Sequence, residues 1–358
     1  MVDDLLASLI EAMPLPALII GADARIRAVN GPGAAMFGAG LVGGLIGRHH
    51  AMAMRQPSLL AAIEGALLRG TRSDLRYAHA RGPREEVFRA TVAPVDLGPA
   101  PGLSRAVLCS FIDTTEAEQV AQIRRDFVAN VSHELRTPLT TLMGFIETLK
   151  GPARSDEAAR MRFLEIMERE AGRMNRLVRD LLSLSRVEAE ERQRPQAPCD
   201  MARLIGSVTS TLTPMATDLG VTIRIRGVEG TDPGAFTLPG DADQLVQVFQ
   251  NLIENAVKYG SPGKRVTVTL TLLAEDPILR QPAVAVEVRD EGEGIDPVHL
   301  PRLTERFYRV DTHRSRTQGG TGLGLAIVKH IVQRHRGRLK IESEKGVGSR
   351  FLVVLPLR

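Results

Sequence analysis

Between residues 115 and 191 the apolar positions fall at helical spacing almost without interruption. A first helix carries Ile123, Phe127, Val131, Leu135, Leu142, Ile146 and Leu149, mostly three or four apart. A second carries Leu164, Met167, Ala171, Met174, Val178 and Leu181, whose alternating offsets of three and four draw a heptad seam. Gly151 to Asp156 reads as the turn between them. Two helices so joined form an antiparallel hairpin whose apolar stripe has no third element to cover it. A second copy covers it most economically, giving a dimeric antiparallel four-helix bundle.

The flanking segments have other patterns. In front, Asp3 to Met13 reads as an amphipathic helix, Ala17 to Gly21 and Ile26 to Val29 as a hairpin, and Leu59 to Leu68 as a helix. Val87 to Val95 and Arg105 to Asp113 read as strands split by the Pro/Gly loop Leu97 to Gly102. Behind, the polar tract Glu188 to Pro198 reads as a linker. Helices are then expected over Leu204 to Leu219, Asp241 to Tyr259 and Gly322 to Arg336, the last capped by Gly337. Val221 to Arg226, Val266 to Leu272, Val284 to Arg289, Arg338 to Ser343 and Arg350 to Leu355 alternate like half-buried strands. Strands with helices on one face make an α/β sandwich. The expectation is a multidomain α+β chain with domains over 1–113, 114–192 and 199–358.

Composition narrows the function classes. With 43% hydrophobic and 25% charged residues in 358, the chain can build two or three ordinary cores. A net charge of +4, without a dense Lys/Arg block, argues against direct nucleic-acid binding. Cys109 and Cys199 lie in different segments and outside any CxxC pair, as free thiols of a reducing compartment do. The start lacks the basic stretch of a secretory leader, and the longest apolar run, Leu15 to Ile20, is strand-sized. Membrane association is not indicated, and a soluble cytoplasmic protein is expected, with a peripheral or truncated membrane-bound form as the alternative reading.

Chemistry concentrates first at His133-Glu134-Leu135-Arg136-Thr137-Pro138. Imidazole attacks phosphorus from a neutral nitrogen, and a neighbouring carboxylate that accepts the other ring N–H favours that tautomer. Glu134 is adjacent, and Thr137 lies one turn on along the same face, where its hydroxyl could hold a water for the reverse reaction. Pro138 removes a helix hydrogen bond and is expected to bend or loosen the helix just past the histidine. The plain alternative is a surface helix carrying one of eight histidines. The run Ser132 to Leu139 resembles the phosphoacceptor box of the sensor histidine kinases.

Further along stand Asn251 and Asn255 on one helix face with Lys258 and Tyr259 beyond, then Asp290-Glu-Gly292-Glu-Gly294, then Gly319-Gly320-Thr321-Gly322-Leu323-Gly324 leading into a helix, then Gly346 to Ser349. Glycines let backbone N–H groups crowd an anion, and a helix N-terminus adds partial positive charge. Two amide oxygens can ligate Mg²⁺, and an ammonium can meet phosphate. Alone, each cluster is as readily a turn, the asparagine pair a structural feature, and Gly346 to Ser349 a hairpin. Their order resembles the nucleotide fold shared by histidine kinases, gyrase, Hsp90 chaperones and mismatch-repair ATPases, the Bergerat ATP-binding domain. That resemblance implies that Asp290 bonds the adenine amine, Gly292 and Gly294 let the backbone pass the base, and Tyr259 lies near it. It also implies that Asn251 and Asn255 hold Mg²⁺, Lys258 meets the phosphates, and the segment Gly320, Thr321, Gly322, Leu323 and Gly324 runs along the phosphate tail of ATP. Ile295 to Gln318 is long for a connection and contains Glu305-Arg-Phe307-Tyr-Arg309, which matches the family's phenylalanine box. It reads as an ATP lid anchored by Phe307, or as a plain surface loop.

The front segment, ending Phe111-Ile-Asp-Thr-Thr-Glu116, resembles a PAS sensor domain in its order of strands and small helices. No Asn-Cys-Arg flavin motif is present there, and the neighbouring His49 and His50 read as surface residues or as haem ligands. With Arg124 to His133 and Gly144 to Leu149, this front looks most like the phosphate-regulon sensor kinases. The resemblance implies a homodimer through 114–192 that moves a phosphoryl group from Mg-ATP to His133. An aspartate in the receiver of a cognate response regulator then takes it, and Thr137 supports the phosphatase direction. Two other readings stay open. One is an ATPase of the same nucleotide fold driving a conformational clamp. The other is a non-catalytic PAS scaffold.

Overall fold

The computed structural model describes residues 2–38, 44–81, 84–96, 105–154, 156–191, 193–229, 232, 234–260, 265–310 and 320–358. The expected loop over 97–102 lies outside the described residues, as do 311–319. Contacts divide the chain into two compact units, Met1–Val128 and Ala129–Arg358. No helix among the described residues is long and apolar enough to cross a membrane.

The first unit is one antiparallel sheet with helices on both faces. Its elements are α1 (Val2–Glu11), β1 (Ala17–Ile20), β2 (Ile26–Val29), α2 (Gly31–Phe37), α3 (Pro57–Arg69), β3 (Ser73–Arg81), β4 (Arg84–Val95) and β5 (Ala106–Asp113), with strand order β2-β1-β5-β4-β3. Strand side chains alternate between faces. Leu18, Ile20, Phe88 and Phe111 therefore join Phe37, Leu59 and Ile63 in the main core, and a bulge in the β1–β2 register places Ile26, opposite Ile20, with them. Ile19, Ala28 and Ala106 meet Leu6 and Ile10 of α1 on the other face. β1 is covered on both faces, which is why it reads as a continuous apolar run.

Two elements here have no counterpart in the sequence reading. α2 starts at Gly-Pro-Gly, which looks like a turn; Asn30 caps it by accepting from the Gly33 N–H at 2.8 Å. β3 is an edge strand rich in charged residues, so its apolar alternation is diluted. Gln56 covers part of that edge, donating to Arg76 O at 2.9 Å and accepting from Ala78 N at 3.1 Å.

The second unit joins the helical hairpin to an α/β sandwich. α4 (Thr115–Lys150) begins in the first unit and runs unbroken through Pro138, whose ring is buried. α5 (Glu157–Glu190) starts at Asp156, which accepts from the Ala159 N–H at 2.9 Å. Phe145 and Phe163 stack at 5.0 Å across the hairpin. The sandwich comprises β6 (Pro198–Asp200), α6 (Met201–Asp218), β7 (Thr222–Arg226), β8 (Thr237–Pro239), α7 (Ala242–Tyr259), β9 (Arg265–Leu273), β10 (Ala283–Asp290), α8 (Gly324–Arg334), β11 (Arg338–Glu344) and β12 (Gly348–Pro356). Its main sheet has the order β11-β12-β10-β9-β7, with β7 parallel to β9 and the remaining pairs antiparallel; β6 and β8 form a separate pair. α7 buries Leu245, Val248, Phe249, Leu252, Ile253, Ala256 and Val257, a helical stripe facing the sheet.

Two local expectations are corrected. The expected linker is shorter, because α5 continues to Glu190. α8 ends before Gly337, and the left-handed residue beyond it is Arg336, with φ 57°. Gly337 serves close packing instead: a Cβ there would lie 2.5 Å from Val354 O.

Candidate functional site

The acceptor end is built on α4. His133 is exposed, and its ring makes no hydrogen bond among the described residues. Thr137 Oγ1 donates to the His133 carbonyl at 3.2 Å, fixing its rotamer along the same face. Glu134 departs from the expected contact with His133. Its Oε2 accepts from Arg173 of α5 at 2.9 Å and from Arg309 at 3.2 Å.

The nucleotide-type residues gather around α7. At its C-terminal end Asp290 is buried, and its Oδ1 accepts from the Gly292 N–H at 3.0 Å and the Ser349 N–H at 3.2 Å. Burial pushes this carboxyl above its usual range, against those backbone donors. Glycine is required around it: a Cβ on Gly292 would lie 2.5 Å from Tyr259 O, and one on Gly348 would lie 2.2 Å from Asp290 O. Gly294 takes φ 65° against Glu344. Gly260, where a Cβ would lie 2.7 Å from Asp290 Cβ, belongs with Gly348 and Ser349 to this end of the candidate site, although Gly346 to Ser349 taken alone reads as a hairpin. Lys258 pairs here with Glu254, one turn back, and Tyr259 is exposed.

Nearer the start of α7, Asn251 meets the glycine box. A Cβ on Gly324 would lie 3.3 Å from Asn251 Oδ1, and Asn251 Nδ2 is buried without a hydrogen-bond partner. Such an unsatisfied amide, with Asn255 one turn on, suits a site completed by a ligand. Two hard oxygen donors fit Mg²⁺, which keeps waters and takes its other ligands from phosphate. Gly322 and Phe307 close on each other: Phe307 N donates to Gly322 O at 2.9 Å, and both sit at positive φ, 65° and 73°. Left-handed backbone at a bulky residue is strained and marks a constrained spot. α8 opens at Leu323 without a side-chain cap, so its first N–H groups are not taken by a capping side chain. From Asn251 to Tyr259 the helix rises about 12 Å, comparable to the reach from a purine to a triphosphate tail. The predicted lid is described only as far as Val310.

The hairpin touches this box directly. Thr321 Oγ1 donates to Asp180 Oδ2 at 2.7 Å, and burial raises the Asp180 carboxyl from its ordinary value. Ser183 donates to Gln247 at 2.7 Å, and Arg334 pairs with Glu190 at 2.9 Å. Leu177, Leu184 and Val187 are buried on the part of α5 that runs beside α8. These are not the heptad positions, because the second half of α5 carries a further apolar face.

Known proteins agree with this layout. Residues 123–190 match the His Kinase A (phospho-acceptor) domain, and residues 240–358 match the histidine kinase-, DNA gyrase B- and HSP90-like ATPase family. The phosphate regulon sensor protein PhoR of Pseudomonas aeruginosa is 41% identical over 239 residues, covering 67% of this chain and 51% of that protein. Sensor protein kinase WalK of Staphylococcus aureus is 40% identical over 244 residues, covering 68% of this chain and 56% of that one. The chain therefore spans about half the length of these relatives. In fold, it matches histidine kinase ThkA, solved in complex with response regulator protein TrrA, at a TM-score of 0.50 and 19% identity over 98% of both chains. With acceptor hairpin and ATPase sandwich both matched, and in this order, the chain belongs to the sensor histidine kinases and resembles their PhoR type.

Proposed function

We propose that this protein is a protein-histidine kinase of a two-component system, autophosphorylating His133 from Mg-ATP. The His133 lone pair attacks the terminal phosphorus, the bond to ADP breaks, and the second ring N–H is held by Glu134. Asn251 and Asn255 hold Mg²⁺, Lys258 turns from Glu254 to the phosphates, and Asp290 bonds the adenine amine. Tyr259, Gly292 and Gly294 border the base; Gly320, Thr321, Gly322, Leu323 and Gly324 border the phosphates, with Phe307 anchoring the lid. An aspartate of a response-regulator receiver then takes the phosphoryl group, and Thr137 serves its later removal. The working form is a homodimer through 114–192, with 199–358 binding ATP. The 1–113 segment senses as a PAS-like domain; its five-stranded antiparallel sheet, with helices between β2 and β3, supports that assignment. Phosphate starvation is the proposed signal, by likeness to the PhoR type.

The observation that carries this reading is the bridge from the carboxylate beside His133 to the glycine box. Arg309 donates both to Glu134 Oε2 and to Gly320 O, tying acceptor helix and nucleotide segment. Incubation with γ-labelled ATP is expected to give acid-labile, alkali-stable label that His133→Ala abolishes. Equal labelling of that variant would overturn the assignment. Thr137→Ala is expected to keep the label but slow dephosphorylation of the regulator; unchanged dephosphorylation would remove Thr137 from the reverse reaction.

A further inference from the structure

Glu134 has one carboxylate oxygen committed and one open. Oε2 takes both guanidinium groups, while Oε1 receives no donor among the described residues. The committed side is partly desolvated: the Arg173, Arg309 and Glu134 side chains are 11%, 6% and 20% exposed. Burying guanidinium groups is costly unless they are paired. Here they converge on a single oxygen, and Glu170 stands 4.0 Å from Arg173 as a second counter-charge. A carboxylate held by one oxygen has lost its freedom to swing, which is what fixes the direction of the other.

The two arginines differ in origin. Arg173 belongs to α5 and reaches Glu134 across the hairpin, whatever the nucleotide domain does. Arg309 follows the phenylalanine box and also donates to Gly320 O, so its contact with Glu134 exists only with the glycine box beside the hairpin.

We propose that Arg173 and Arg309 are positioning residues for Glu134: they pin Oε2 so that Oε1 takes the ring N–H of His133. Arg173 is the permanent half of this clamp, and Arg309 is the half added when the nucleotide domain docks. The proposal rests on the reading of His133 as acceptor.

The test uses the full chain and the rate of label incorporation. Arg173→Met is expected to lower kcat about 100-fold while KM for ATP stays within about twofold, since the ion pairs of Arg173 among the described residues are with Glu134 and Glu170 of the hairpin. Arg173→Lys restores part of the rate by returning one donor. Combined with Glu134→Gln, Arg173→Met adds almost nothing, because both remove one oriented acceptor. A merely structural arginine gives the opposite pattern: losses that multiply with Glu134→Gln, no rescue by lysine, or a raised KM. Any of these overturns the clamp, as does a wild-type rate in Arg173→Met. If Arg173→Met does not fold, Arg173→Lys takes its place in the same cycle with Glu134→Gln. Wild-type label that depends on His133 keeps the kinase reading intact whatever Arg173 shows.

Discussion

Two asparagines, Asn30 and Asn251, show how differently one residue type is used. Asn30 is fully buried and satisfied: Oδ1 accepts from Ala17 N at 2.9 Å and Gly33 N at 2.8 Å, while Nδ2 faces the carbonyls of Ile10, Met13 and Leu15 at 3.2, 3.1 and 2.8 Å. It ties the end of α1, the start of β1 and the start of α2 together. Asn30→Ala would leave several of these groups unpaired and is expected to destabilise the first unit by about 3 kcal/mol. Urea denaturation measures this, and a loss under about 1 kcal/mol would contradict it. Asn251, by contrast, keeps an unsatisfied Nδ2 in the site. The motif around Asn251 marks it in the sequence as a candidate site residue. Asn30 sits in Asn-Gly-Pro-Gly, where nothing local separates a structural hub from a turn residue.

At the scale of elements, α7 was legible from end to end. Its cap Asp241 accepts from Gln244 N at 3.2 Å, and its apolar stripe follows helical spacing. How α7 is fixed to α8 was not legible. His335, buried just past α8, donates through Nδ1 to Ile331 O at 2.8 Å and accepts through Nε2 from Asp241 N at 3.0 Å, a tautomer set by these partners. Burial, more than any other cause, lowers the pKa of this ring below 6.5. The unfolded chain therefore binds the proton first as pH falls. The stability that His335 contributes is complete above its unfolded pKa and declines as pH drops from about 6.5 toward the folded value. Thermal melting of the second unit should fall between about pH 7.5 and 5.5, and His335→Gln should flatten that dependence. An unchanged slope in the variant would assign the acid sensitivity to other groups.

Across the whole molecule, α5 presents two apolar faces. α5 buries Leu177, Leu184 and Val187 along the stretch beside α8. Leu164 and Val178 of the heptad seam stay 45% and 43% exposed, as do Leu139 and Met143 of α4 at 51% and 52%. Apolar side chains left open at heptad spacing suit a second hairpin of the same kind. Leu164→Glu with Val178→Glu should halve the mass seen by light scattering while leaving nucleotide binding in place. An unchanged mass would put the dimer contact elsewhere.

The sequence by itself determined the acceptor box, the asparagine pair, the three glycine clusters and the hairpin, because each is a contiguous run whose chemistry or period is local. Tertiary structure alone decided which of these residues meet. Glu134 and Arg173 are 39 residues apart and Asp180 and Thr321 are 141 apart, and no local spacing records such pairs. It also drew Gly348 and Ser349 to Asp290, turning a hairpin that could have been ordinary into a wall of the site. The physical reason is the same throughout: periodicity states which face of an element is apolar, while the neighbour that covers it is chosen by packing of the whole chain.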